Sequence, residues 1–204
     1  PNTYTVTVTD DNDCVATNTI TVVAGPPIVA GFTPPANACL TGNSMSFTNT
    51  GTTGVTYAWD FGDAAPGTST TEDPTYTYPT DGTFTVQQIV SSGACADTAT
   101  ANVIIHPMPT PTAFADSVLC NGDATGSATV NAPTYTGYLW EDATPSTVST
   151  VNPATGLSAG TYDVTVTDAN ACDATISVTV FEPPVLAPTA VFTNPTCNGD
   201  ATRT

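Results

Sequence analysis

Residues 157–172 read LSAGTYDVTVTDANAC. The last part of this stretch, YDVTVTDANAC, aligns without a gap with YTVTVTDDNDC at residues 4–14. From Tyr162 onward, apolar and polar residues alternate, which is the pattern of a β-strand with one buried face. The turn sequence TDANA follows this strand. Cys172 is therefore expected to start the last strand of its domain.

A second repeat shows how the chain is divided. CNGDAT stands at residues 120–125 and again at 197–202, an offset of 77, whereas the first repeat has an offset of 158. Because 158 is about twice 77, a domain of similar length but different sequence lies between the copies. Proline-rich stretches mark the junctions. We predict four pieces: 1–25, the C-terminal part of a module; 26–107, a different domain; 108–184, a complete module; and 185–204, the N-terminal part of a further module.

The charge of the chain excludes several classes of partner. It carries 18 acidic residues and no lysine, and Arg203 is its one basic side chain, so the formal net charge is −17. Nothing in the sequence neutralises phosphate, which excludes nucleic acid and disfavours anionic membrane surfaces. No run of 18 apolar residues occurs, so direct membrane insertion is not expected.

The pattern of strands and turns predicts an all-β chain. Turn sequences recur every 8–12 residues, and no stretch has a helical period. We therefore expect tandem immunoglobulin-like β-sandwich domains in an extended array. Both complete domains share one skeleton, since a cysteine precedes the tryptophan by 20 residues in each. The expected core residues are Trp59, Trp140, Tyr162 and Phe84.

The cysteines indicate the compartment. Each complete domain holds an even number, which favours the disulfides Cys39–Cys95 and Cys120–Cys172 and an oxidising, extracellular setting. Each bridge is expected to tie loops or strand ends at one pole of its domain. Cys14 and Cys197 are expected to pair outside this sequence. The alternative is that the cysteines are buried free thiols.

The central domain resembles a PKD domain, the immunoglobulin-like module named for polycystic kidney disease protein. The resemblance rests on YAWDFGD at 57–63, DPTYTY at 73–78 and GTFTV at 82–86. It implies that the two aspartates of WDFGD cap turns rather than hold a cation. The Gln87-Gln88 step departs from the apolar alternation, and we expect a β-bulge there.

The flanking modules resemble SprB repeats, which occur in very large cell-surface adhesins of gliding Bacteroidota. The matching sequences are CNGDATGSATV at 120–130, the pair Tyr138 and Trp140, and the stretch at 157–172. The resemblance implies export by the type 9 secretion system and display on the cell surface or in a filament, with a connection to gliding motility.

The polar side chains of the sequence bear on three kinds of site: calcium, O-glycan and catalytic. Carboxylates clustered on turns are of the kind that supplies oxygen ligands to calcium, although a solvated turn explains them equally. Thr98 and Ser117 lie in short Asp-Thr/Ser-aliphatic sequences that fit O-glycan acceptors. No catalytic constellation accompanies His106, so the chain is not expected to be an enzyme or to need a cofactor. The candidate calcium ligands are Asp10, Asp11, Asp13, Asp168, Asn170 and Asp173.

These observations predict a structural stalk or filament segment of a large secreted cell-surface adhesin. Its first partners are then the neighbouring domains of the same long chain. One alternative is a module that binds polysaccharide or another surface protein. A second is a self-assembling filament subunit that donates strands to its neighbour.

Overall fold

A computed structural model describes residues 2–64, 67–131 and 135–191. The chain forms two compact units, Pro1–Pro107 and Met108–Thr204. All the regular structure in the described ranges is β, so the predicted all-β class is confirmed. Within those ranges no helix is long and apolar enough to cross a membrane.

The first unit begins with a two-stranded hairpin. Strand β1 (Asn2–Thr9) pairs antiparallel with β2 (Val15–Val22) over eight residues, without a register shift. Every residue of both strands is exposed. This hairpin forms a sheet of its own, separate from the rest of the unit.

The rest of the first unit is a β-sandwich. Its main sheet has the order β4-β11-β10-β7-β8, and the pairs β3-β6 and β5-β9 supply the facing layer. Strand β4 runs parallel to β11, and every other pairing is antiparallel. The strands are β3 (Phe32–Thr33), β4 (Ala38–Cys39), β5 (Met45–Ser46), β6 (Thr48–Asn49), β7 (Thr56–Asp60), β8 (Thr68–Ser69), β9 (Thr75–Tyr76), β10 (Gly82–Ser92) and β11 (Cys95–His106).

The predicted bulge at Gln87-Gln88 is wrong. Strand β10 pairs with β11 in one continuous register, and Gln88 takes an inward position between Val86 and Val90. Its side chain is fully buried, and it is hydrogen-bonded at both ends. Nε2 donates to Asn49 Oδ1 at 2.9 Å, while Oε1 accepts from the backbone N–H of Gly31 at 2.8 Å. The polar residue at this position is therefore a hydrogen-bonded core residue, and it does not interrupt the strand.

Aromatic rings fill the core of this sandwich. Trp59 is 2% exposed and Phe84 is 9% exposed. Trp59 contacts Phe32 edge-on, with the ring centroids 5.0 Å apart, and Phe61 stacks on Tyr76 at 4.2 Å. Such contacts add stability beyond simple area burial. Trp59 also stacks on Phe61, and the remaining ring contacts in the cluster involve Phe47 or Tyr78.

The second unit is a sandwich of two antiparallel sheets, with orders β12-β13-β16 and β15-β14-β17-β18. Its core is mainly aliphatic, with Trp140 at 0% exposure and Tyr162 at 7%. The strands are β12 (Ala113–Asp116), β13 (Gly126–Val130), β14 (Gly137–Asp142), β15 (Thr147–Ser149), β16 (Ala154–Leu157), β17 (Gly160–Thr167) and β18 (Asp173–Val180).

The predicted Cys39–Cys95 disulfide is wrong. Cys39 lies opposite His106, at the last residue of β11, whereas Cys95 is the first residue of that strand. A strand of 12 residues spans about 36 Å at about 3.3 Å per residue. A disulfide needs Cα atoms within about 7 Å. Cys95 is accordingly an exposed free thiol, and Cys39 takes part in a disulfide.

The predicted Cys120–Cys172 disulfide is wrong for the same reason. Cys172 directly precedes β18, whereas the loop that holds Cys120 lies at the other end of that strand. The backbone N–H of Val118 donates to the carbonyl of Phe181, at 2.9 Å. Cys120 is an exposed free thiol and Cys172 is disulfide-bonded. Each sandwich therefore carries its two cysteines at opposite ends, not at one pole.

Candidate functional site

The WDFGD turn of the first unit is the most distinctive local structure in the chain. Asp60 ends β7, and its Oδ1 accepts a hydrogen bond from the backbone N–H of Gly62 at 2.8 Å. Gly62 has a φ of 75°. A Cβ at this position would lie 2.4 Å from the carbonyl oxygen of Thr85. Only glycine fits a left-handed residue packed this closely against the neighbouring backbone.

Asp63 links this turn to the facing layer. Its Oδ1 accepts from the backbone N–H of Gly67 at 3.2 Å, and its Oδ2 accepts from the hydroxyl of Tyr76. The bond to Asp63 is the main reason that the pKa of Tyr76 rises to about 12, and burial raises it further. At Tyr78, by contrast, burial is the main cause of a raised pKa. The hydroxyl of Tyr78 donates to the carbonyl of Phe61 at 3.0 Å.

This arrangement ties the turn to the facing layer of the sandwich. Both carboxylates of the motif accept bonds from nearby backbone groups, as the resemblance implied. General acid–base catalysis needs a titrating group that faces a substrate. Here the phenol of Tyr76 is committed to Asp63, and that of Tyr78 lies in the core.

The two copies of the Asp turn have the same hydrogen bonds. In the first copy Asp10 Oδ1 accepts from the backbone N–H of Asn12 and of Cys14, both at 2.9 Å. These bonds to Cys14 and Asn12 lower the pKa of Asp10. The residue before the cysteine, Asp13, has a φ of 65°.

In the second copy Asp168 Oδ1 accepts from the backbone N–H of Asn170 at 2.8 Å and of Cys172 at 2.9 Å. Ala171, before the cysteine, has a φ of 62°. In both turns the first carboxylate therefore closes a local ring of backbone bonds. This use of aspartate is common in tight turns.

The calcium prediction receives no support from this geometry. In residues 2–64, 67–131 and 135–191, no three histidine, cysteine, aspartate or glutamate side chains come together in a way that would hold a metal ion. The candidate ligands of the two turns lie in separate units. Calcium binding stays a prediction without an assembled set of ligands.

The predicted glycan acceptors are both accessible. Thr98 is exposed on β11, where it pairs with Ile89 of β10. Ser117 is exposed and directly follows β12. Modification of either residue stays a prediction. Cys197 lies outside the described residues.

Two structural features were not apparent in the sequence. One is a network around Asn43, whose Nδ2 donates to the carbonyls of Leu40 and Tyr78 at 2.6 and 3.0 Å, and whose Oδ1 accepts from the N–H of Tyr78 at 2.7 Å. No periodic pattern distinguishes this asparagine from those in exposed turns.

The other is a half-open apolar hollow of about 320 Å³ at one end of the second unit. It lies between the loop that follows β12 and the segment that follows β18. Its lining residues are Leu119, Cys120, Asn121, Pro183, Pro184, Val185 and Leu186.

Comparisons with known proteins identify one part of the chain. Residues 23–105 match the family model described as PKD domain. This confirms the PKD resemblance of the first unit. The resemblance of the flanking modules to SprB repeats stays a prediction. No curated protein matches the chain.

Among solved structures, the PKD1 domain of the Vibrio cholerae metalloprotease PrtV is 26% identical. The match covers 40% of this chain and 99% of that domain, with a TM-score of 0.33. The PKD1 domain of Vibrio anguillarum Epp is 25% identical over 41% of this chain and 99% of that one, with a TM-score of 0.35. The titin I-band fragment I67–I69 is 16% identical over 78% of this chain and 66% of the fragment, with a TM-score of 0.46.

Proposed function

We propose that the chain is a structural segment of a large secreted cell-surface adhesin, in which β-sandwich modules in series hold binding regions away from the cell. The observation that carries this proposal is the recurrence of one module type on both sides of the PKD-like sandwich. The β1–β2 hairpin repeats the β17–β18 hairpin in its eight pairs and in the bonds of its Asp turn.

An extracellular setting fits the chemistry of the chain. The first unit matches a PKD domain, and Cys39 and Cys172 are disulfide-bonded. Disulfides persist in oxidising compartments. The net charge of −17 makes such segments repel one another, which favours separate stalks over bundles. Export by the type 9 secretion system and a part in gliding motility belong to this proposal through the SprB resemblance.

A stalk segment needs no ligand of its own, and this sets the test. The whole chain is labelled and applied to an array of bacterial and host polysaccharides, with a known carbohydrate-binding module as positive control. We expect no saturable binding above background at 10-fold the concentration at which the control saturates. Saturable binding to one glycan class would contradict a purely structural segment.

A binding module is the second candidate, and the apolar hollow of the second unit favours it. Leu119 lines this hollow and is 78% exposed. If the array shows binding, Leu119→Asp should remove it. Val148→Asp is the matched control, because Val148 is an exposed apolar residue on β15 that does not line the hollow.

A further inference from the structure

The β1–β2 hairpin has one apolar face and one threonine face. Tyr4 lies opposite Ile20, and Asn2 lies opposite Val22. Thr3, Thr5 and Thr7 lie on the other face. The apolar residues are 55–64% exposed. The full set on this face with large apolar side chains is Tyr4, Val6, Val8, Ile20 and Val22.

The second unit contains the same hairpin with that face buried. Tyr162, Val164 and Val166 are the counterparts of Tyr4, Val6 and Val8 at an offset of 158. Their exposures are 7%, 0% and 0%, against 55%, 58% and 62% in the first copy. The two hairpins have the same register over eight pairs, so the difference lies in what covers them and not in their own structure.

The second unit also shows what the cover consists of. Strand β14 pairs with the edge of β17 that does not pair with β18, and Trp140 of β14 lies opposite Val164. Strands β13 and β16 cover the apolar face, and their buried residues join the hairpin in one cluster. The buried covering residues are Val118, Ala128, Val130, Trp140, Ala154 and Leu157.

We propose that the apolar face of the β1–β2 hairpin is a docking surface for a segment with the strands of residues 113–157. In the second unit, Gly160 is the counterpart of Asn2 and follows the covering strands in sequence, so a covering segment can be attached at Asn2 to test the docking. Docked in this way, the segment and the hairpin form one sandwich of the second unit's type. The proposal does not depend on whether the array serves as a stalk or as a binding surface.

The 185–204 segment of a second copy is a poorer occupant. At an offset of 77 it aligns in sequence with residues 108–127, which include β12, but none of its residues align with Trp140 or with β16. It would leave the edge of β1 unpaired. For this reason the proposal commits to a complete set of covering strands.

The test extends the chain. A copy of residues 108–159 replaces Pro1 and so stands directly before Asn2, and amide hydrogen exchange is followed in β1 and β2 by mass spectrometry. Exchange should slow by at least about 100-fold relative to the unextended chain, because the hairpin then opens only with a whole domain. The original second unit contains the same residues 108–159 as the added copy. Slow exchange in its β17 and β18 shows in each sample that these covering strands are able to fold.

A pair of variants separates docking from general stabilisation. In the extended chain Val6→Asp, on the apolar face, should return exchange in the hairpin to the unextended rate. Thr5→Asp, on the opposite face, should leave the protection in place. In the unextended chain neither change should alter exchange in β1 or β2.

Two results would overturn the proposal. The first is unchanged exchange in β1 and β2 after extension while the original second unit stays protected. The second is protection of β1 and β2 in the unextended chain that appears only at high concentration together with a larger species in size-exclusion chromatography. That result would assign the surface to a second copy and to strand donation.

Discussion

The two sandwiches place a tryptophan 20 residues after a cysteine, yet they fill the space around it differently. In the first, Trp59 belongs to a cluster of touching aromatic rings, and two amide side chains, Asn43 and Gln88, are buried with them. In the second, Trp140 is surrounded by valine, alanine and leucine, and no polar side chain in its described part is buried.

This difference shows that one spacing supports two kinds of core. The aromatic core of the first unit depends on directional hydrogen bonds, because buried amides and phenols cost free energy unless they are bonded. The aliphatic core of the second depends on close packing alone. The two units should therefore differ most when a hydrogen-bonding group is removed.

The largest expected effect is at Asn43. Asn43→Leu removes three hydrogen bonds and leaves the N–H and carbonyl of Tyr78 without their side-chain partner. We expect the first unit to lose about 3–5 kcal/mol in its free energy of unfolding. Urea unfolding followed by the fluorescence of Trp59, in a Trp140→Phe background, measures it.

Asn152 provides the matched control in the second unit. It bonds both the N–H and the carbonyl of Val130, at 2.8 and 2.9 Å, but it is only partly buried. Asn152→Leu should cost about 1–2 kcal/mol, because water reaches the groups it leaves. An equal loss at the two sites would refute the view that the first unit depends more on buried polar bonds.

The second effect concerns the tryptophans themselves. Trp59 Nε1 donates to the carbonyl of Thr71 at 2.9 Å, whereas Trp140 Nε1 has no hydrogen-bond partner among the described residues. Replacement by phenylalanine therefore breaks a bond in the first unit and removes an unsatisfied donor in the second. Trp59→Phe should cost about 1 kcal/mol more than Trp140→Phe.

Hydrogen exchange in β7 and β14 measures these two changes, since each strand carries the tryptophan of its own unit. The Phe replacements keep most of the ring volume, so that the comparison isolates the indole N–H. A larger loss at Trp140 than at Trp59 would mean that packing around the second ring outweighs the missing bond.

The sequence was sufficient for the architecture and insufficient for the bonds within it. Alternation in GTFTV and YDVTV, together with frequent turns, is a local property, so strands and a sandwich could be inferred from it. The position of Cys95 relative to Cys39 depends on the length of β11. The even number of cysteines in each domain, on which the predicted pairing rested, says nothing about that distance. Gln88 was misread because a buried amide and a bulge look the same in a hydrophobicity pattern.

A third difference should appear at high pH. The pKa of Tyr76 rises to about 12, mainly through its bond to Asp63, so the folded first unit favours the protonated phenol. The unfolded chain releases this proton from about pH 10 upward. The stabilisation is thus complete below pH 10 and decreases as the pH rises from 10 toward 12.

Tyr76→Phe checks this origin of the alkaline sensitivity. The variant should be less stable than the parent at pH 8, where it lacks the bond, and the difference should shrink by pH 11.5. The urea midpoints of the first unit, measured for the variant and the parent at both pH values, give the change. A constant difference would show that the bond to Asp63 is not the titrating element.

The smallest effect should appear in acid, at exposed carboxylates. The bond from the N–H of Ala30, at 2.9 Å, lowers the pKa of Asp97, and bonds from Thr144 and Ser146 lower that of Asp142. A depressed pKa stabilises the fold above the ordinary value near 4, and this stability is lost as the pH falls through the folded value.

Asp97 and Asp142 should nevertheless differ in reach. Asp97 joins β11 to a segment 67 residues earlier, whereas Asp142 bonds only within its own turn. Asp97→Asn should therefore lower the acid sensitivity of the whole first unit below about pH 4. Asp142→Asn should change hydrogen exchange only at Thr144 and Ser146. If Asp142→Asn instead shifts the acid midpoint of all strands of the second unit, its turn contributes to global stability, and the aliphatic sandwich also depends on a polar bond.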